Sequence, residues 1–165
     1  MNQQKQPFRI GHGFDVHRFK SGNSIRLAGI DVPHIYSFKA HSDGDVLIHA
    51  VCDALLGAIA AGDIGQHFPD TDPAYAGIDS MILLADVYQR VSDAGYKLGN
   101  LDITVIAQSP RLSTYVKAMA ESLAAKLGCD VDQINIKATT TERLGYIGRE
   151  EGIAVHCVAI LNAKQ

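Results

Sequence analysis

Alternating apolar and polar positions predict several strands in this chain. Successive side chains of a strand point to opposite faces, so an apolar residue at every second position indicates a strand with one buried face. The segments with this pattern are residues 8–19, 101–108 and 134–139, with a short strand or hairpin over residues 24–32. Residues 152–162 are apolar on both faces except at His156, so we expect this last strand to be buried on both faces.

Apolar residues spaced three or four apart predict three helices. The first covers residues 46–61, and the second runs from a cap at Asp79 or Ser80 to about residue 93. The third is expected to begin at Ser109 and Pro110, because proline is favoured at the first helical position, and it ends at Gly128. Three helices can cover one face of a sheet, so we expect the other face to meet another subunit. The order of elements predicts a two-layer α+β fold.

Two further segments are expected to be irregular. Residues 34–39 form a predicted loop before the first helix. Residues 62–80 are rich in glycine, proline and aspartate, and an irregular loop of this length in a compact domain is usually functional or disordered. Its carboxylates suit a cation or a polyol, but a solvated surface loop fits the same composition.

Length and composition favour a single globular domain. The chain has 165 residues, which we divide into a polar N-terminal extension at 1–7 and one domain at 8–162. Hydrophobic residues make up 47% and charged residues 20%, and no apolar run has the length of a membrane span. The net charge of −3 argues against binding of duplex nucleic acid. Three widely spaced cysteines and the absence of a secretory signal predict a reduced, cytoplasmic location.

Candidate chemistry begins in the stretch AHSDGDVLIHA at residues 40–50. Ser42 or Asp43 is expected to cap the helix that follows, since a short side-chain oxygen accepts from the unpaired N–H groups of a first turn. Asp45 and His49 are four residues apart and share a helix face. This pattern fits a capped, buried helix as well as a functional site, so the stretch alone does not decide between them.

The first strand carries two further metal-type ligands. Asp15 and His17 lie on the same face, from which Gly11 and Gly13 remove the side chains, so another backbone or a ligand can come close. Together with His49 they form a set of two histidines and one carboxylate. Three protein ligands with one open position are typical of catalytic zinc, and the lack of cysteine leaves zinc, manganese or iron. A half-exposed edge strand is the alternative.

Hydroxyl groups follow the strand at residues 134–139. Thr139 to Glu142 offer N–H and O–H donors to phosphate oxygens, and Glu142 can hold a hard divalent ion that is bound mainly by those phosphates. Ser109 and Pro110, before the third helix, provide a second niche of phosphate or base size. Each of these signals is weak when taken alone.

Taken together, the motifs resemble a known enzyme family. RIGHGFDVH, AHSDGDVLIHA, GDIGQHFPDTDP, AQSPR and KATTTERLGYIGREEGIA occur in the order and spacing of the 2-C-methyl-D-erythritol 2,4-cyclodiphosphate synthases of the non-mevalonate isoprenoid pathway. The resemblance covers residues 9–161, and His156 is a small departure from it. It implies a phosphorus–oxygen lyase that is a homotrimer, with its sheets facing the trimer axis and its active sites between adjacent subunits.

The family's substrate is 4-diphosphocytidyl-2-C-methyl-D-erythritol 2-phosphate. The resemblance implies that the 2-phosphate attacks the β-phosphate within the same molecule, so that CMP leaves and a cyclic diphosphate forms. It implies one zinc ion per active site, bound by Asp15, His17 and His49. Glu142 would bind magnesium or manganese at the substrate diphosphate, and His41 and Thr140 would stabilise the transition state. A trimer-axis cavity lined by Arg149 would be open to an isoprenoid diphosphate.

The substrate-binding residues implied by the resemblance come from several segments. In chain order they are Asp15, Val16, His17, His41, Ser42, Asp63, Ile64, Gly65, Phe68, Pro69, Asp70, Thr71, Asp72, Ala107, Gln108, Ser109, Pro110, Arg111, Leu112, Ser113, Thr139, Thr140, Thr141, Glu142, Tyr146 and Arg149. Within this set Ser42 would contact phosphate, residues 63–72 the erythritol part, and residues 107–113 with Thr139 onward the cytidine.

Two other functions fit parts of the same pattern. A metal-dependent phosphohydrolase of a cytidine diphosphate compound would use the two histidines and the aspartate to activate water. A non-enzymatic trimeric scaffold would bind a cytidine nucleotide or a metal without catalysis. Product analysis separates the cyclising enzyme from both.

Overall fold

The computed structural model describes residues 5–164, so most of the predicted N-terminal extension, residues 1–4, lies outside the described residues. The strands are β1 (Phe8–Ser21), β2 (Ser24–Leu27), β3 (Ile30–Pro33), β4 (Tyr36–Phe38), β5 (Tyr96–Ile106), β6 (Ile134–Thr139) and β7 (Gly152–Ala163). The helices are α1 (Val46–Ala58), α2 (Ile64–His67), α3 (Ser80–Asp93), α4 (Val116–Leu127) and α5 (Gly145–Gly148), with 3₁₀ turns at Pro73–Tyr75 and Val131–Gln133. No helix within the described range has the length and apolar character needed to cross a membrane.

Five strands form one mixed sheet in the order β4-β1-β7-β5-β6. β5 and β6 run parallel and are joined through α4, whereas the other neighbours are antiparallel. β2 and β3 form a separate hairpin. Helix α1 packs on β1 and β7, and α4 packs on β6. The α+β fold and each of the predicted strands are therefore confirmed.

Several predicted boundaries are wrong. The third helix begins at Val116 rather than Pro110, because buried Leu112 accepts from the Tyr115 N–H in a turn that precedes the helix. Helix α1 ends at Ala58 rather than at 61, since Ala60 adopts a left-handed conformation with φ of 58°. The predicted loop at 34–39 contains β4, and the long loop at 62–80 contains α2 and a 3₁₀ turn.

The glycines of β1 set its distance from helix α1. A Cβ on Gly11 would lie 1.8 Å from the Ala54 carbonyl oxygen, and a Cβ on Gly13 would lie 1.9 Å from that of Ala50. The prediction that another backbone comes close at these positions is confirmed. This approach places the strand residues that follow Gly13 beside the polar start of α1.

The cap of α1 is Asp45, not Ser42 or Asp43 as predicted. Its carboxylate accepts from the Ile48 N–H at 3.1 Å and also from the N–H groups of Ala28 at 3.0 Å and Gly29 at 2.7 Å. Ala28 and Gly29 form the two-residue turn of the β2–β3 hairpin, and both have positive φ, as a type I′ turn requires. Burial raises the pKa of Asp45, and the three N–H donors oppose that rise. One buried side chain thus joins the hairpin to the helix start.

Replacement of Asp45 with alanine is expected to lower the free energy of unfolding by about 2–3 kcal/mol, because it removes a helix cap and leaves buried N–H groups without an acceptor. Chemical unfolding in urea measures this change. The matched control is Asp72→Ala, which removes the exposed carboxylate that accepts from Ala74 N–H. An equal loss in both variants would show that the link to the hairpin contributes nothing.

The second face of the sheet is apolar and open in the single chain. The exposed fraction is 61% for Ile10, 44% for Phe14, 41% for Val16 and 39% for Val158. The expectation that β7 is buried on both faces is therefore wrong for one chain, since Val158 on its second face is exposed. That another subunit covers this face stays a prediction.

The cysteines fit the expectation of packed thiols. All three are free, and Cys52 and Cys157 are buried in the core. Burial raises the pKa of the Cys157 thiol to about 12, which keeps it protonated and unreactive at neutral pH.

Candidate active site

Three side chains from β1 and α1 converge on one point. The Asp15 Oδ2 atom lies 3.0 Å from His17 Nε2 and 3.2 Å from His49 Nδ1, and the two nitrogens are 3.3 Å apart. These side chains are partly buried, with exposed fractions of 27%, 13% and 14%. The structure thus brings together the three residues that the sequence indicated as metal ligands.

The spacing of these atoms suits a metal ion. Tetrahedral zinc with nitrogen and oxygen ligands at about 2.0–2.1 Å places neighbouring ligand atoms about 3.3 Å apart. The observed separations of 3.0–3.3 Å need only a small adjustment. The donor set of two imidazoles and one carboxylate leaves one tetrahedral position for another ligand.

Backbone contacts orient the His17 ring. Its Nδ1–H donates to the Gly44 carbonyl oxygen at 2.9 Å, which leaves the Nε2 lone pair directed at the other two ligands. Gly44 lies in the turn before α1, with φ of 80°. The second ring, His49, has its Nε2 atom 3.0 Å from Ser80 Oγ and 3.2 Å from Ser42 Oγ.

Asp15 and His17 shift each other's pKa in opposite directions. Burial acts to raise the pKa of Asp15, but hydrogen bonds and the charges of His17 and His49 outweigh it, so the pKa lies well below its usual range. Burial acts to lower the pKa of His17, but the Asp15 carboxylate outweighs it and raises that pKa. Asp15 therefore remains an anion, as a metal ligand must be.

A cavity of about 430 Å³ opens beside the triad. Nine of the residues predicted to bind metal or substrate line it: His17, His41, Ser42, His49, Ile64, Gly65, Phe68, Pro69 and Asp70. Ala40, Tyr75, Ile78 and Leu83 complete its lining. One wall thus comes from the loop at 62–80, which the sequence indicated as a functional candidate.

A second group of predicted residues forms a separate surface. The Ala107 N–H donates to Thr139 O at 2.9 Å, and the Arg143 N–H donates to Gln108 Oε1 at 3.0 Å. These bonds join the segment at 107–113 to the turn at 139–143. Among the described residues, none of either segment lines the cavity beside the triad. Thr140, Glu142, Tyr146 and Arg149 likewise lie outside that lining.

The sequence did not indicate two residues that support the site, and a third has unexpected contacts. Ser80 is fully buried and lies against His49. Asp53 follows His49 by one helical turn and accepts the Ile64 N–H at 2.7 Å, which fixes the start of α2 at the cavity. Asp45, which was predicted to share a helix face with His49, binds backbone N–H groups with its carboxylate. The spacing of four between His49 and Asp53 was a usable signal, whereas Ser80 had none.

Comparison with known proteins finds similarity over nearly the whole chain. The model of the YgbB family matches residues 8–162. The 2-C-methyl-D-erythritol 2,4-cyclodiphosphate synthase of Thioalkalivibrio sulfidiphilus is 58% identical over 155 residues, which cover 94% of this chain and 97% of that protein. The synthase of Pseudomonas aeruginosa is also 58% identical, over 94% of this chain and 99% of its own.

Solved structures agree with this relationship. The Plasmodium falciparum IspF in complex with CDP has a TM-score of 0.86 and 32% identity, covering 98% of this chain and all of that one. With these matches spanning the fold, the triad and the cavity together, the chain belongs to the YgbB family.

Proposed function

We propose that the protein converts 4-diphosphocytidyl-2-C-methyl-D-erythritol 2-phosphate to 2-C-methyl-D-erythritol 2,4-cyclodiphosphate and CMP. The observation that carries this proposal is the convergence of Asp15, His17 and His49 at the edge of a cavity that also contains His41 and Ser42. Family membership and the CDP found in a related structure support it. The reaction belongs to isoprenoid precursor biosynthesis and makes the enzyme a phosphorus–oxygen lyase.

The chemistry requires positioning rather than a protein nucleophile. The attacking 2-phosphate and the β-phosphate belong to one substrate molecule, so the cavity must hold the chain bent with an oxygen in line with the phosphorus. Ser42 and His41 lie at the cavity wall where they can donate to phosphate oxygens. Phe68 and Pro69 supply an apolar wall for the methylerythritol, and Asp70 an acceptor for its hydroxyls.

Two divalent ions complete the proposed site. Asp15, His17 and His49 would hold zinc, and Glu142 would hold magnesium or manganese together with the substrate. When bound, these ions supply the positive charge that offsets repulsion between the phosphates. The site must also keep water away from the substrate, since an activated water would hydrolyse the diphosphate.

We further propose that residues 8–162 form the catalytic domain and assemble as a homotrimer. The cavity beside the triad lacks Thr140 and Glu142, which lie on the other predicted surface of the same chain. An adjacent subunit would bring its residues 107–113 and 139–143 to this cavity as the cytidine pocket. The open apolar face of the sheet, with Ile10, Phe14, Val16 and Val158, would be buried around the trimer axis.

Phosphorus-31 NMR of the reaction tests the proposed function directly. The full chain is incubated with the cytidylyl substrate, zinc and magnesium. We expect equal amounts of CMP and the cyclic diphosphate, with no inorganic phosphate. Ring-opened phosphate products would instead establish a phosphohydrolase. Unchanged substrate would contradict both enzymatic functions and favour the non-enzymatic scaffold.

Substitution of Glu142 by glutamine is expected to raise the magnesium concentration needed for half-maximal rate by about tenfold or more, because an amide oxygen is a weaker ligand than a carboxylate. Zinc content should stay unchanged, since Glu142 is not part of the triad. Rates measured against magnesium at fixed zinc check this result. Glu121→Gln, on the exposed surface of α4, is the matched control. A similar rise in the required magnesium concentration in the control would contradict a specific role of Glu142 in binding magnesium.

A further inference from the structure

Ser80 is a fully buried hydroxyl at the first position of helix α3, directly after the helix cap Asp79. Its Oγ lies 3.0 Å from Nε2 of His49. The residue is absent from the cavity lining, so it contacts the histidine on the side away from the cavity. No role for it follows from the chemistry described above.

The donor and the acceptor of each hydrogen bond around Ser80 can be assigned from the chemistry of its partners. Its Oγ–H donates to Oδ1 of Asp43, and its backbone N–H donates to Oδ2 of the same carboxylate at 3.1 Å. A carboxylate only accepts, so the hydroxyl proton is committed to Asp43. The remaining lone pairs of Oγ therefore face His49, whose Nε2 must donate.

The opposite nitrogen of His49 faces a competing acceptor. Asp15 Oδ2 lies 3.2 Å from Nδ1 and would favour a proton on that nitrogen. A proton at Nδ1 would block the atom that belongs to the triad. An acceptor fixed behind Nε2 opposes this, because it stabilises the tautomer that leaves Nδ1 free.

We propose that Ser80, held by Asp43, is a positioning residue that keeps His49 in the Nε2–H tautomer and its Nδ1 lone pair directed at the triad. The inference rests on the proposed metal site at Asp15, His17 and His49. Ser42 Oγ also lies near Nε2, at 3.2 Å, but it lines the cavity and accepts from the Gly44 N–H. Ser42 is thus free to turn towards a substrate, whereas Ser80 is not.

The test compares zinc affinity of the full-length protein and its variants by competition with a chelator. Ser80→Ala is expected to weaken zinc binding about 10- to 100-fold, the usual effect of removing a hydrogen-bond partner of a metal-binding histidine. Ser80→Thr retains the hydroxyl and should restore most of the affinity. In nitrogen-15 NMR of the zinc-loaded protein, the Nε2–H of His49 should exchange with water faster in Ser80→Ala than in the wild type.

Asp79→Ala is the matched control. It removes the carboxylate that caps α3 at the Met81 N–H, so it perturbs the same helix start without touching His49. We expect a lower melting temperature but unchanged zinc affinity. If Ser80→Ala does not fold, Asp43→Ala provides the second variant, because it frees the Ser80 proton to donate to Nε2 and should also weaken zinc binding.

The outcomes separate this inference from the proposed function. Wild-type protein that binds no zinc, or His49→Ala that binds it normally, would overturn the metal site itself. Wild-type zinc binding combined with unchanged affinity and unchanged Nε2–H exchange in folded Ser80→Ala would overturn only the role of Ser80. Equal zinc loss in Asp79→Ala would also overturn it, since a general disturbance of α3 would then suffice.

Discussion

Replacement of Gly13 with alanine is expected to lower the free energy of unfolding by about 4 kcal/mol and to abolish zinc binding. The new Cβ would lie 1.9 Å from the Ala50 carbonyl oxygen and 2.7 Å from the Ala54 backbone nitrogen. These are backbone atoms of α1, so the helix itself must move away from β1. Because β1 carries Asp15 and His17 whereas α1 carries His49, the same movement separates the metal ligands.

Urea unfolding and zinc content, both at matched protein concentration, measure the two effects. Gly57→Ala is the control within the same helix, since Gly57 is exposed and its Cβ would meet only the His12 carbonyl oxygen at 4.0 Å. We expect Gly57→Ala to stabilise the protein by about 0.5–1 kcal/mol, because alanine is the better helix former. A Gly13→Ala protein with wild-type stability and zinc content would contradict the close packing of β1 on α1.

The same two elements show how much of the fold was predictable from sequence. The alternation in β1 placed Asp15, His17 and the two glycines on one face, because a period of two depends only on local backbone geometry. The start of α4 was not predictable in this way. Pro110 is compatible with a first helical turn, and the burial of Leu112, which depends on distant parts of the chain, sets the helix start at Val116 instead.

Contacts with distant residues also decide which side chain caps α1. Ser42, Asp43 and Asp45 all have side chains that can cap a helix, and local preference does not separate them. The hairpin turn at Ala28 and Gly29 selects Asp45, since its two N–H groups need a buried acceptor. That turn is close only after the chain has folded. Asp43 is then left for Ser80, a contact between residues 37 positions apart.

In the candidate site, too, some features follow from local sequence and others depend on contacts between distant residues. The triad could be predicted because each ligand type is chemically distinctive and the β1 pair is fixed by strand geometry. Local strand and helix geometry does not give the place of Thr140 and Glu142 relative to that triad. One chain contains a cavity beside the triad, and these two residues lie outside its lining. This separation favours a site assembled from two subunits and motivates the last prediction.

Replacement of His49 with alanine is expected to reduce turnover by about 10²–10³-fold or more. It removes one of the three proposed ligands of the zinc ion, whose positive charge would offset repulsion between the reacting phosphates. Zinc content should fall, whereas the fold should persist, because the side chain lies at the cavity edge with 14% exposure rather than in the apolar core. Metal analysis, the melting temperature and steady-state rates check these expectations. An unchanged metal stoichiometry would contradict the assignment of His49 as a ligand.

Mixing two inactive variants tests whether the site is shared between subunits of the proposed homotrimer. Thr140→Ala should also be nearly inactive, yet its triad is intact, and His49→Ala retains its Thr140. If each site combines the triad of one subunit with Thr140 of the next, random mixing of the two variants in equal amounts makes about one quarter of the sites intact. We therefore expect co-refolded variants to regain about one quarter of wild-type activity. If both residues served one site within a single chain, every site would carry one defect, and mixing would restore nothing.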